Sequence, residues 1–99
     1  MPLDTLHLAP EHLHILQHIL ASHPGCYVFG SRVSGRNKIF SDLDLCFIRD
    51  TPLLISERIV LEAAFEESDL PFTVDILDYH DLSPAFRQVV DESKIPFQY

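Results

Sequence analysis

The chain has 99 residues, 46% of them apolar, and its 7 basic and 15 acidic side chains leave a net charge of −8. That composition excludes a disordered chain and suffices for one modest core, so residues 1–99 are read as a single domain. The acidic balance argues against general nucleic-acid binding, no apolar run approaches a membrane span, and no basic-then-apolar leader opens the sequence; the cytoplasm is the default location.

Pro10 and Glu11 predict the first turn of a helix, with proline where its missing N–H costs nothing and an acid at the positive pole. Leu13, Leu16, Ile19 and Leu20 recur at helical spacing, and His23-Pro24-Gly25 ends the run. Cys26 to Phe29 is wholly apolar, as in a buried strand. A polar stretch from Gly30 to Phe40 follows, then a second strand from Asp42 to Ile48. Arg49 to Pro52 is a turn, and a helix is expected from about Leu54 to Glu67, with Ile55, Ile59, Leu61, Ala63 and Phe65 apolar and Glu57, Glu62, Glu66 and Glu67 on a solvated face. Phe72 to Leu77, rich in aromatic and β-branched residues, is a third strand. Ser83-Pro84 reads as an N-cap followed by proline at the first helical position. The apolar tail from Ile95 to Tyr99 is an edge strand or a docking segment; Phe97 and Tyr99 are read as docking on their own chain or contacting a partner, with the partner contact preferred. The order is α-β-loop-β-α-β-α-tail, a two-layer α/β arrangement.

Three pieces of this order carry chemistry. Gly30-Ser31 ends the first strand, ten residues intervene, and Asp42-Leu43-Asp44-Leu45 opens the second; Asp75 lies later between Val74 and Ile76. Residues two apart in a strand share a face, so Asp42 and Asp44 project together. Carboxylates among Leu, Ile and Val repel one another and are costly unless a cation sits between them. Oxygen ligands suit magnesium, and two divalent ions with a nucleoside triphosphate are the natural occupants. Asp75 joins the pair if its strand lies beside the second. Gly30 allows close backbone approach to an anion, the Ser31 hydroxyl can donate to phosphate, and Arg32, Arg36 and Lys38 concentrate positive charge directly after that turn.

Other residues read as structural. Cys26 and Cys46 sit in apolar segments and are expected to be reduced and buried. His14 and His18 are one helical turn apart but lack a third ligand, so they belong to a solvated face. Asp78 and Asp81 are expected to serve a local turn.

The run from Gly30 through Gly35, with Ser41-Asp42-Leu43-Asp44-Leu45 and the later Asp75, resembles the DNA polymerase β-like nucleotidyltransferase superfamily. Together with the short length it is similar to the minimal, MntA-type members, over roughly residues 10 to 99. The resemblance implies the nucleotidyltransferase fold, a small mixed sheet with helices packed on one face. It implies Asp42, Asp44 and Asp75 as catalytic metal ligands, and Gly30, Ser31, Arg32 and Arg36 as the nucleotide site. Two Mg2+ ions, or Mn2+, would be the cofactors and ATP or another nucleoside triphosphate the substrate. It further implies a HEPN-domain toxin as partner, in a homodimeric or hetero-oligomeric assembly. The MntA-type antitoxin transfers AMP onto such a toxin, typically at a tyrosine. A subunit that neutralises its partner by binding alone is the alternative.

Overall fold

The computed structural model describes residues 8–30 and 42–99. Its first helix, α1 (Pro10–Leu20), begins with Pro10 and carries Glu11 in its first turn; Leu16 and Leu20 face the core. Gly25, at φ +80°, turns the chain into β1 (Cys26–Phe29). Strand β2 (Leu43–Phe47) pairs antiparallel with β1. Helix α2 (Ile55–Glu66) then crosses over to β3 (Val74–Asp78), which runs parallel to β2. A 3-10 turn (Tyr79–Asp81) leads to α3 (Pro84–Ser93), and β4 (Ile95–Pro96) returns antiparallel to β1. Among the described residues the sheet is four-stranded and mixed, in the order β3-β2-β1-β4.

Alternation along β2 separates two cores. Leu43, Leu45 and Phe47 point to one face, where Leu16 and Leu20 of α1 and Leu61 and Phe65 of α2 complete the main cluster. Cys46 points to the other, where Phe29 of β1 and Val90 of α3 cover it. The expected mixed sheet is present; two of the three helices share a face as anticipated, and α3 lies across the opposite one. The Ser83 cap is as expected, with the Phe86 N–H donating to its hydroxyl at 3.2 Å. Both cysteines are free and buried, and burial pushes the Cys26 thiol up to about 12. His14 and His18 are exposed.

Three expectations are corrected. The tail docks on its own chain: Phe97 is buried, its ring meets Tyr99 edge-to-face, and the Tyr99 hydroxyl donates to the His23 carbonyl while accepting the Cys26 N–H. Helix α2 buries only Leu61 and Phe65, leaving Ile55 and Ile59 exposed, because these two lie around the helix from that pair. Glu57 is not on a solvated face. Its carboxylate accepts two bonds from Arg49, at 2.8 and 2.9 Å, and one from His23 Nδ1 at 2.7 Å. Arg49 also donates to the Pro24 carbonyl at 2.8 Å, so one ion pair ties the turn before β1 and the end of β2 to the start of α2.

The two Arg49 bonds, aided by His23, hold the Glu57 carboxyl down at about 2, against 4.5 ordinarily. A carboxyl lowered in the folded state adds stability that is fully present above pH 4.5 and disappears as the pH falls through about 2. With 19% of its side chain still reaching water, screening leaves about 1–2 kcal/mol. Glu57→Gln is therefore expected to lose about that much at pH 7 by urea denaturation, and only a small remnant of it near pH 2. An equal loss at both pH values would assign the effect to packing instead.

Candidate active site

The pairing register assembles the carboxylates. Asp44 stands opposite Asp75 in the parallel β2–β3 pair, and opposite Phe29 in the antiparallel β1–β2 pair. Register partners share a face, so Asp44 and Asp75 project to the same side of the sheet. Asp42, one residue before β2, belongs to that side by the two-residue period; the Leu43 N–H donates to the Thr73 carbonyl at 2.9 Å and keeps the strands paired to this end. Helix α3 covers the far half of the face, over Cys46 and Leu77. The carboxylates stand at the near end, with Asp44 half-buried and Asp42 and Asp75 exposed.

Electrostatics record the proximity. Burial raises the Asp44 carboxyl above its ordinary value, and the charges of Asp75 and then Asp42 raise it further. Among the described residues none of the three acids is in an ion pair. Nor, among those residues, do three or more His, Cys, Asp or Glu side chains stand close enough to hold a metal ion as placed. The donor set nonetheless fits a hard divalent cation: every ligand atom is a carboxylate oxygen, and the middle one carries a charge penalty from its two neighbours.

Gly30 closes the site at the end of β1. It sits at φ +87°, where a side chain is strained, and a Cβ there would collide with Asp44 Oδ2. The space the missing side chain leaves is thus taken by a carboxylate of the same chain. The Gly30 N–H donates to the Ser93 hydroxyl at 3.2 Å. Ser31, Arg32 and Arg36, and Lys38 with them, lie outside the described residues. Asp78, by contrast, is engaged elsewhere: one oxygen accepts the His80 N–H at 3.0 Å, the local duty its position suggested, and the other accepts the Leu53 N–H at 2.8 Å, a longer-range tie to the segment before α2. Ser93 is the site neighbour that sequence reasoning missed, since a serine late in a helix, 63 residues from its partner, gives no local signal.

A mixed sheet with a glycine turn closing one strand, and acids side by side on the next two, defines a nucleotidyltransferase. The family model described as "Polymerase beta, Nucleotidyltransferase" matches residues 13–97. A protein of Haemophilus influenzae, "Probable protein adenylyltransferase MntA", is 42% identical over 84 residues, which cover 85% of this chain and 73% of that protein. A solved structure described as a "toxin-antitoxin with AMP-PNP" shares the fold, with a TM-score of 0.67 over 87% of this chain and 72% of the other, at 23% identity. The chain belongs to the polymerase β nucleotidyltransferase family, of the minimal MntA type, and is a nucleotidyltransferase.

Proposed function

We propose that the chain is a cytoplasmic, Mg2+-dependent adenylyltransferase that moves AMP from ATP onto a hydroxyl of a HEPN-domain toxin and serves as that toxin's antitoxin. The observation that carries the chemistry is the register pairing of Asp44 with Asp75 beside Gly30. The protein acceptor is supported by the name of the Haemophilus relative. The HEPN partner rests on the motif resemblance. No helix among the described residues is long and apolar enough to cross a membrane.

Asp42, Asp44 and Asp75 are the residues that would hold two Mg2+ ions. Bound there, the ions would neutralise the triphosphate and favour displacement at its α-phosphorus. The acceptor oxygen forms a bond to that phosphorus, the bond to pyrophosphate breaks, and Asp75, the more exposed of the strand pair, takes the hydroxyl proton. Gly30 keeps room for Asp44, and Ser31, Arg32 and Arg36 bind the phosphates. The acceptor hydroxyl comes from the partner protein.

The test is incubation with α-labelled ATP and Mg2+, with and without the product of the adjacent gene. Label is expected on the partner only when both proteins and Mg2+ are present. A tight complex that never acquires label would establish the binding-only antitoxin instead.

A further inference from the structure

Helix α3 holds the end of β1 by both side chain and backbone. Val90, fully buried, packs on Phe29, and the ring of Phe86 meets that of Phe29 edge-to-face at 6.2 Å. One residue on, the Gly30 N–H reaches the hydroxyl of Ser93, the last residue of α3. The end of α3 is itself anchored. The Lys94 N–H donates to the Val90 carbonyl at 2.8 Å, and the Tyr79 hydroxyl donates to Asp91 at 2.9 Å. Lys94 binds Asp91 at 2.8 Å while lying over the rings of Tyr27 and Tyr79.

The Ser93 hydroxyl therefore comes from a fixed helix and holds a peptide whose position is consequential. Gly30 takes a backbone conformation that side chains avoid, and its Cα borders the Asp44 carboxylate directly. A small rotation of that peptide changes the room available to Asp44 and the direction in which the chain leaves β1. We infer that Ser93 is a positioning residue for the nucleotide site, its hydroxyl fixing the Gly30 peptide and thereby both the Asp44 carboxylate and the start of the phosphate turn. This rests on the nucleotidyl-transfer reading above. Ser93 acts on the site through Gly30.

Calorimetric binding of Mg2+ and AMP-PNP to the full chain tests it, with wild type, Ser93→Ala, Ser93→Thr and Ser83→Ala measured together. Ser93→Ala is expected to weaken binding roughly three- to tenfold, the worth of one neutral hydrogen bond. Ser93→Thr keeps the hydroxyl and is expected to stay within about twofold of wild type. Ser83→Ala removes the N-cap of the same helix; it is expected to lower the melting temperature yet leave affinity within about twofold. Unchanged affinity in Ser93→Ala, with wild type binding well, would overturn the positioning role and leave the proposed function standing. So would a loss in Ser83→Ala as large as that in Ser93→Ala, because α3 would then act through stability alone. A wild-type chain that does not bind Mg2+–AMP-PNP would overturn both.

Discussion

Asp44→Asn is expected to reduce nucleotidyl transfer by a factor of about a thousand or more while the protein melts at the same temperature or higher. The two effects have one origin. Asp44 is held at the middle of three acids, half out of water, with its carboxyl raised by burial, by Asp75 and by Asp42. A group in that setting is poorly suited to the fold and well suited to a cation. Replacing the carboxylate by an amide of the same shape removes the repulsion and, with it, the charge that would balance divalent ions. Loss of a single well-placed electrostatic contact typically costs two to three powers of ten in rate, and a carboxylate proposed to hold divalent ions stands at the upper end.

The pH dependence has a definite sign. An acid whose folded value is raised holds a proton, between its unfolded and folded values, that the unfolded chain has already lost. Stability therefore falls as the pH rises through that window. Asparagine carries no such liability. The gap in melting temperature between Asp44→Asn and wild type should be near zero in acid and open in favour of the variant toward neutrality. Calorimetric melts from pH 3 to 7, alongside the labelled-ATP assay, measure both effects. Full activity in the variant, or a drop in its melting temperature at neutral pH, would refute the assignment of Asp44.

Gly30→Ala is expected to lower transfer about a hundredfold, with a stability loss of only about 1–2 kcal/mol. The stability loss comes from forcing an L-residue to φ +87°. The added methyl also meets the Asp44 carboxylate. Because the colliding atom lies at the end of a short side chain, the collision is relieved when that carboxylate swings aside. The steric conflict is thereby converted into a misplaced carboxylate at the proposed metal site, and displacements of about an ångström cost roughly this factor in rate. Urea denaturation separates the two contributions when activity is assayed well below the melting temperature. A variant that loses stability but transfers at the wild-type rate would mean the glycine serves the turn alone.

Periodicity made much of this molecule readable. The alternation of Leu43, Leu45 and Phe47 with Asp42, Asp44 and Cys46 assigns the two faces of β2 before any coordinates are considered. Pro10, Ser83 and Pro84 carry their helix-start signals in their own covalent structure. Asp75 was readable only conditionally, because whether β3 lies beside β2 is settled by packing across the crossover and not by any nearby residue. Glu57 was unreadable for a related reason. It stands in a run with Glu62, Glu66 and Glu67, and its partners arrive from a turn eight residues earlier and from the turn before β1. The tail illustrates the limit of apolarity as a signal: Phe97 and Tyr99 suit a foreign surface and their own core equally, and only the hydroxyl of Tyr99, satisfied by His23 and Cys26, decides between them.

The parallel union of β2 with β3 joins acids about thirty residues apart, with a whole helix between them. During synthesis, then, a ribosome that has delivered Asp42 and Asp44 has delivered only part of the proposed site. On the proposed reading, nucleotide turnover waits until β3 has been synthesised and has paired with β2, so a partly made chain consumes none.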